Sequence, residues 1–202
     1  YFRGWPIALI MAIGGVLGVS YSGGPLKLGY HGYGELVIGI MFGVLLMIGM
    51  QYAVCGLFDW NVVLLSVAVG MLVTNIVYTH SVLDIVADEK ADKMTFARLL
   101  GSKKNQLAAL ALFSLLPFVI VFAGVALGFF HWAYLVVSIL LPMALFLWKS
   151  VRKFVYDEEE DMTLKFWMGP MGDWENYKKA GLDWFLFRWL MARNLVTFFC
   201  LF

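Results

Sequence analysis

The sequence predicts an all-α membrane protein, a polytopic bundle of six transmembrane helices. Of its 202 residues, 62% are hydrophobic and only 14% are charged, whereas a soluble domain has about a quarter charged residues. Several apolar runs reach about 20 residues, which as a helix crosses a hydrocarbon core of roughly 30 Å. Alternation of the kind found in β-barrel strands is lacking. We therefore expect a lipid bilayer around the chain, and the net charge of +1 gives no basis for nucleic-acid binding.

Charged residues, glycine and proline mark the ends of the six apolar runs. We place the spans at residues 5–20, 36–54, 61–81, 106–129, 132–148 and 182–202. Most of the 15 basic residues fall in the first, third and fifth loops, which share one side of the membrane, and Arg3 falls on the other side. The positive-inside rule makes these three loops cytoplasmic and both ends of the chain non-cytoplasmic. We expect a single transmembrane domain in a bacterial cytoplasmic membrane.

An acidic cluster follows the third span. Asp84, Asp88 and Asp92 recur every four residues, so a helix continuing out of the membrane would place all three carboxylates on one face. Their mutual repulsion would be relieved by Mg²⁺, which binds carboxylates together with phosphate oxygens. Lys93 and Arg98 are close enough in sequence to reach the same phosphates. The cluster predicts half of a Mg²⁺–diphosphate site, and the alternative is a solvated loop with local Asp–Lys pairs.

The loop at residues 21–35 reads YSGGPLKLGYHGYGE. Its five glycines and one proline permit tight backbone turns, and its three tyrosines and one histidine offer rings and hydrogen-bonding groups. Charge counting places it on the same side of the membrane as Asp84. The loop therefore predicts a binding site for a small molecule, with an ordinary interfacial loop of aromatic residues as the alternative.

Together these two stretches resemble the UbiA superfamily of intramembrane aromatic prenyltransferases, most closely its 1,4-dihydroxy-2-naphthoate polyprenyltransferase branch. Residues 21–35 are similar to that branch's stretch YTGGPxPLxYxGLGE. Residues 84–101, DIVADEKADKMTFARLLG, are similar to the superfamily's second aspartate motif, DxxxDxxxGKxT. The chain departs from the family at Lys27, at Asp92, where the family has glycine, and at His80 and Leu83, where it has asparagine and arginine.

The resemblance implies transfer of a polyprenyl group from polyprenyl diphosphate to a carbon of an aromatic acceptor. The acceptor implied is 1,4-dihydroxy-2-naphthoate, in menaquinone biosynthesis, with 4-hydroxybenzoate or a tetrapyrrole as alternatives. Asp84, Asp88 and Asp92 would bind Mg²⁺, and Asp84, Asp88 and Lys93 would be catalytic by stabilising the departing diphosphate. The substrate-binding residues would be Tyr21, Lys27, Tyr30, His31, His80, Arg98 and Arg193.

The resemblance also implies a nine-helix ring, of which this chain matches helices four to nine. The first aspartate motif of the family has no counterpart in the chain. We expect it to come from three further N-terminal helices or from a partner. The alternative is a non-catalytic membrane subunit that acts as a scaffold or a quinone-binding element.

Polar residues within the spans leave further alternatives open. His80 shares the helical face of Asp84 and could act as a base towards an acceptor or form an interhelical hydrogen bond. Arg188 is expected to extend to the cytoplasmic surface. Arg193, with Asn194, lies deeper and predicts either a polar site or a cap on the carbonyl groups of another helix.

The stretch 150–181 is the longest part of the sequence outside the predicted spans. Its acidic run at 157–161 predicts a solvated loop, and the aromatic and basic residues that follow predict a helix at the membrane interface. Cys55 and Cys200 provide neither a disulfide framework nor a cysteine cluster for a metal.

Overall fold

Six long helices form the main body of residues 4–202, the range described by the computed structural model. All six are long and apolar enough to cross a membrane, which confirms the predicted number of spans, while Arg3 lies outside the described residues. In chain order the helices, with three short ones between them, are α1 (Trp5–Ser22), α2 (Gly34–Cys55), α3 (Trp60–Leu83), α4 (Ile85–Lys90), α5 (Phe96–Leu99), α6 (Lys103–Ala126), α7 (Trp132–Val155), α8 (Trp174–Lys179) and α9 (Asp183–Leu201).

Helix α3 is the centre of the bundle, where it packs against α2, α6 and α9. Half of its apolar stretch is buried, whereas none of the apolar stretch of α1 is. The outward faces carry exposed apolar side chains such as Phe42, Trp60 and Ile139. Such faces are costly in water and are satisfied by lipid, so the fold is that of an integral membrane protein.

Glycines bring α2 and α3 into backbone contact. A Cβ atom at Gly43 would lie 2.1 Å from Cα of Gly70, and one at Gly39 would overlap the hydroxyl of Thr74. Small residues permit this approach between helices in a membrane, where packing replaces the hydrophobic effect as the main source of association. At the same level α2 widens into a π-helical turn at Ile40–Leu45.

Side-chain caps fix the ends of two central helices. Asp59 Oδ1 accepts a hydrogen bond from the Asn61 amide at 2.9 Å at the start of α3, and Ser102 Oγ accepts one from the Asn105 amide at 3.2 Å at the start of α6. Each cap satisfies an amide that has no partner within the first helical turn. The opposite end of α3 is tied to the start of α6, because the Tyr78 hydroxyl donates to the Gln106 carbonyl at 2.9 Å.

The prediction of one continuous helix through all three aspartates is wrong beyond α4. Helix α3 ends at Leu83, Asp84 lies between α3 and α4, and α4 ends at Lys90. Asp88 still donates its amide to the Asp84 carbonyl, so these two residues keep a helical relationship. Asp92 follows the helix with φ of 50° and is exposed. The three carboxylates therefore do not share one helical face.

In the connection between α7 and α9, four residues of the acidic run are exposed, as predicted for a solvated loop, and the exception is Glu160, whose side chain is buried. Glu160 Oε2 lies 2.7 Å from Nη2 of Arg188, and both side chains are almost fully buried. Arg188 also donates to the Ser150 carbonyl of α7 at 3.1 Å. The expectation that Arg188 extends to the surface is therefore wrong, because a buried carboxylate on a neighbouring segment neutralises its charge within the bundle.

The remainder of this connection returns to α9 through the short helix α8. The helix predicted near Lys178 is present, but its Trp174 is buried and packs on Phe187 of α9 with ring centroids 5.9 Å apart. Cys55 and Cys200 are both free and exposed in the described part of the chain, so they form no disulfide there.

Candidate functional site

The loop at residues 21–35, which we call the glycine loop, contacts residues 84–101, which we call the aspartate segment. The Met94 amide donates a hydrogen bond to the Tyr30 carbonyl at 3.2 Å, and His31 and Met94 form an isolated parallel bridge. The sequence predicted only that the two stretches lie on the same side of the bundle. The structure brings them into direct backbone contact.

A buried carboxylate strengthens this junction. Glu35, at the start of α2, is 3% exposed, and its Oε1 atom accepts a hydrogen bond from the Phe96 amide, the first of α5, at 3.0 Å. Glu35 is the last residue of the glycine loop, and no role was predicted for it from the sequence. Its position directly before a long apolar run could have indicated that Glu35 is bound to another part of the chain, because an acidic residue needs a partner when it is buried.

The interior of the glycine loop is packed around Tyr21. A Cβ atom at Gly34 would lie 2.9 Å from Cα of Gly29 and 3.3 Å from Cε2 of the Tyr21 ring. Position 34 therefore has no room for a side chain. The ring of Tyr21 supports the loop from inside, which leaves other side chains of the loop to face outward.

The outward side chains of the loop include Tyr30, which is 49% exposed, together with Lys27 and His31. His31 Nδ1 donates a hydrogen bond to the Lys27 carbonyl at 3.0 Å. The other ring nitrogen, Nε2, is not used in this bond. These exposed groups lie within four residues of the contact with Met94. The loop therefore presents a ring and hydrogen-bonding groups beside the aspartate segment.

Asp84 marks the junction of α3 and α4 and is partly exposed. His80 Nε2 lies 3.8 Å from Asp84 Oδ2, with both side chains more than a third exposed. This distance is too long for a hydrogen bond, so the Asp84 carboxylate keeps its capacity to accept. The ring of His80 also packs edge-on against Phe185 of α9, with centroids 5.1 Å apart.

Asp88 is the most enclosed of the three aspartates. Its Oδ1 atom lies 3.3 Å from Nζ of Lys93. Its Oδ2 atom is buried and has no hydrogen-bond partner within residues 4–202, as is also true of the Thr95 hydroxyl. Leaving a buried carboxylate oxygen unpaired is costly, so this atom is suited to a ligand that supplies positive charge.

The donor chemistry at Asp88 fits Mg²⁺, which takes one or two carboxylates and completes its shell with water and phosphate oxygens. Asp84 lies one helical turn away with a carboxylate that is free to accept. Within residues 4–202 no group of three or more histidine, cysteine, aspartate or glutamate side chains converges as a metal centre. Asp84 and Asp88 are thus the two carboxylates of this segment that could hold a metal together.

The turn that holds Asp88 and Lys93 is closed by Asp92 and Arg98. The Lys93 amide donates to the Asp88 carbonyl and the Asp92 amide donates to that of Glu89, a pattern that ends a helix with a left-handed residue. Arg98 Nη1 donates to the Lys93 carbonyl at 2.6 Å. Asp92 therefore occupies a position that favours glycine, and Arg98 braces the backbone beside the predicted phosphate contacts.

Arg193 is attached to a different part of the molecule. Its Nη2 atom donates to the Pro170 carbonyl at 2.7 Å and to Asn194 Oδ1, also at 2.7 Å. Asn194 Nδ2 in turn donates to the Met168 carbonyl at 2.8 Å. These contacts agree with the interpretation of Arg193 and Asn194 as a cap on backbone carbonyls, and the acceptors lie in the α7–α9 connection, where Met168 ends a single 3-10 turn.

The fold and the site together define a class: an α-helical intramembrane protein with a carboxylate and lysine site, facing an aromatic loop, at one end of the bundle. The chain belongs to the UbiA prenyltransferase family, which it matches over residues 1–169. No solved structure matches it significantly.

Curated relatives carry names that agree with this family. The chain is 34% identical over 106 residues, 51% of its length and 36% of that protein, to the 1,4-dihydroxy-2-naphthoate octaprenyltransferase of Mycobacterium tuberculosis. It is 30% identical over 163 residues, 80% of its length and 52% of that protein, to the 2-carboxy-1,4-naphthoquinone phytyltransferase of Synechocystis. The naphthoate octaprenyltransferase of Bacillus subtilis is 32% identical over 99 residues, 49% of this chain and 32% of that protein. The chain thus spans between a third and about half of the length of these relatives.

Proposed function

We propose that this chain forms the Asp84-containing part of an enzyme that transfers a polyprenyl group from polyprenyl diphosphate to an aromatic acceptor. The acceptor we propose is 1,4-dihydroxy-2-naphthoate, which places the protein in menaquinone biosynthesis. Membership of the UbiA prenyltransferase family and the names of two relatives support this proposal. The observation that carries it is the unpartnered, buried Oδ2 atom of Asp88 beside the ammonium group of Lys93.

The diphosphate end of the substrate would bind at the aspartate segment. Asp88 and Asp84 would hold Mg²⁺, which when bound neutralises the negative charge that grows on the departing diphosphate. Lys93 contributes a second positive charge from within the same turn. Arg98 keeps the Lys93 carbonyl, and with it the turn, in place. A preorganised set of charges of this kind lowers the barrier because it needs no rearrangement as the bond breaks.

The transfer exchanges one bond to the allylic carbon for another. The carbon–oxygen bond to diphosphate breaks with both electrons going to the oxygen, and a carbon–carbon bond forms to the acceptor ring. The ring regains its aromaticity by releasing the group that the attacked carbon carried: a proton, or carbon dioxide where that carbon bears a carboxylate. His80, whose Nε2 lies 3.8 Å from Asp84 Oδ2, would accept the proton on this side of the bundle.

The acceptor would bind at the outward groups of the glycine loop. Tyr30 and His31 lie within a residue of the contact with Met94, so an acceptor on the loop would be held close to the turn of Asp88 and Lys93. Such proximity is what a reaction between two bound substrates requires. The polyprenyl tail would lie along the apolar helices. Lys27 and Tyr21 remain in the proposal as substrate-binding residues of the loop. Lys27 is exposed and would contact the acceptor, whereas the Tyr21 ring would act by supporting the loop backbone.

Two further parts of the proposal concern the whole protein. We propose that the family's first aspartate motif is supplied from sequence outside these residues or from a partner. We also propose that the basic loops and the aspartate segment face the cytoplasm in a bacterial cytoplasmic membrane, because most basic residues lie in the loops on that side.

A two-substrate assay on the full-length protein in lipid nanodiscs tests the function. Polyprenyl diphosphate is combined in turn with 1,4-dihydroxy-2-naphthoate, 4-hydroxybenzoate and a tetrapyrrole, and both pyrophosphate release and product mass are measured. We expect prenylated naphthoate as the main product, with about a hundredfold less or lower from Asp88→Asn. A clear preference for another acceptor would overturn the naphthoate assignment. Absence of product with every acceptor, from protein shown to be folded, would favour a non-catalytic role.

A further inference from the structure

Glu35 is a buried acidic residue to which the proposed reaction gives no part. It lies at the start of the second span, and its hydrogen-bond partner among residues 4–202 is the Phe96 amide, which lies 61 residues further along the chain. Burying a carboxylate with one amide partner is expensive compared with burying an apolar side chain of similar size. This group lies between the two loops of the candidate site, so its burial serves to connect them.

Three contacts join the two loops. The Tyr30 carbonyl accepts from the Met94 amide, and Glu35 accepts from the Phe96 amide. A Cβ atom at Gly32 would lie 3.1 Å from Cδ2 of Leu99, so the loop backbone also rests on the side chain of α5. These contacts run along residues 30–35 on one side and 94–99 on the other. The two loops therefore form one connected surface rather than two independent ones.

The Glu35 contact differs from the other two because it is a hydrogen bond made by a side chain, whereas the Tyr30 bond joins two backbones and the Leu99 contact is apolar. Phe96 is the first residue of α5, and the turn with Asp88 and Lys93 ends only three residues before it. Arg98, on the same short helix, holds the Lys93 carbonyl. A movement of α5 would therefore shift the lysine turn, and Glu35 is the polar side chain through which the glycine loop holds the first amide of α5.

We propose that Glu35 is a positioning residue that couples the two substrate sites, so that binding of the diphosphate at the aspartate segment orders the glycine loop for the aromatic acceptor. This inference rests on the proposed function for the identity of the two ligands. Coupling of this kind is reciprocal: each ligand raises the affinity for the other by the same factor.

The kinetic test compares Glu35→Ala with Glu35→Gln in the full-length protein. The acceptor KM is measured at low and at saturating prenyl diphosphate, and the ratio of the two values, which we call the coupling factor, is the kinetic measure of this linkage. We expect a factor of about fivefold or more in the unmodified protein, which is the ordinary range for coupled sites. Glu35→Ala should bring the factor close to one. Glu35→Gln should retain it, because the amide oxygen can still accept from Phe96.

A matched control separates positioning from stability. Ser114→Ala removes a buried hydroxyl that donates to the Leu110 carbonyl within α6, far along the helix from either loop. It should lower thermal stability and leave the coupling factor unchanged. If Glu35→Ala alters kcat and thermal stability but not the coupling factor, Glu35 has only a structural role and the proposal is overturned.

Hydrogen exchange supplies a readout that does not depend on turnover. Inorganic pyrophosphate with Mg²⁺ is added, and amide exchange is followed by mass spectrometry at residues 30–34. We expect protection of the glycine loop in the unmodified protein and in Glu35→Gln, and none in Glu35→Ala. Protection of the aspartate segment alone in the unmodified protein would overturn the coupling. A folded protein that shows this protection but no product with any acceptor would contradict the proposed function instead.

Discussion

The ammonium group of Lys93 lies 3.3 Å from Oδ1 of Asp88, while Oδ2 of the same carboxylate is buried without a partner in the described residues. One oxygen is thus neutralised within the chain and the other is available to a cation. The pair lies in a closed turn whose backbone is fixed by Arg98 and by the hydrogen bond from Lys93 to Asp88. This half-satisfied carboxylate gives the candidate site its specific chemistry.

Replacing Asp88 by Asn should reduce prenyl transfer about a hundredfold or more, because the carboxylate that would hold Mg²⁺ against the departing diphosphate loses its charge. Asp84→Asn should act in the same direction. The neighbouring Glu89 is exposed on the same short helix, so Glu89→Gln is the matched control and should retain turnover. Turnover is measured in nanodiscs across a Mg²⁺ titration, after removal of metal by a chelator. Near-normal rates in Asp88→Asn at saturating Mg²⁺ would contradict the metal site and favour the alternative, a loop with local Asp–Lys pairs.

Tyr30→Ala should weaken acceptor binding and leave the KM for prenyl diphosphate little changed. The ring is exposed, whereas the contact with Met94 uses the Tyr30 carbonyl, which the substitution retains. Loss of one stacking or hydrogen-bonding contact should cost about 1–3 kcal/mol, or roughly ten- to a hundredfold in acceptor kcat/KM. His31→Ala should behave similarly. An equal loss for both substrates would show that these side chains act through folding of the loop.

Asp92→Gly should stabilise the protein. Asp92 has φ of 50° at the end of α4, a conformation that costs a residue with a side chain and costs glycine little. We expect a gain of about 0.5–1 kcal/mol in the free energy of unfolding, with turnover retained. Glu89→Gly, inside α4, should instead lose about 1 kcal/mol. The check is thermal or denaturant unfolding in detergent, and a lower stability for Asp92→Gly would contradict the role assigned to this turn.

Gly43→Ala should destabilise the bundle, because the new methyl group would overlap the Gly70 backbone and force α2 away from α3. Overpacking of this kind costs about 1–3 kcal/mol. Gly18→Ala is the control, since its Cβ would meet only Met41 Cε at 3.6 Å, an ordinary contact. Unfolding of the two variants in the same detergent distinguishes them. Equal stability would mean that the close approach of α2 and α3 is not required.

Arg188→Met should lower stability by about 3–5 kcal/mol, because it leaves the Glu160 carboxylate buried without its counter-charge. The double variant Arg188→Met, Glu160→Gln should recover much of this loss, since no buried charge remains. Arg152 and Glu158 form an exposed ion pair in the same region, so Arg152→Met should cost less than about 1 kcal/mol. The free energies of unfolding of the unmodified protein, Arg188→Met, Glu160→Gln and the double variant form a double-mutant cycle. Additive effects of the two single variants would contradict the buried pair.

Six spans could be predicted from the sequence because hydropathy adds up along a short stretch of chain. The predicted and observed ends agree to within a few residues for five of the spans, and α7 extends past its predicted end to Val155. That stretch carries basic residues, which end a hydropathy run without ending a helix. The caps at Asp59 and Ser102 are likewise local, since each acts on an amide two or three residues away.

The tertiary structure decided which charged residues are buried and which groups meet. Glu35 and Phe96 are 61 residues apart, and Arg188 and Glu160 are 28 apart, so neither pair follows from spacing along one helix. The same applies to Asp92, whose four-residue repeat with Asp88 counts only if the helix continues, and the turn that ends α4 prevents this. The sequence by itself determined the membrane-spanning helices and the two loops of the candidate site, because hydropathy and turn-forming residues act locally. The joining of those loops through Glu35 and the pairing of Arg188 depend on how the helices pack, which places residues distant in sequence at hydrogen-bonding distance.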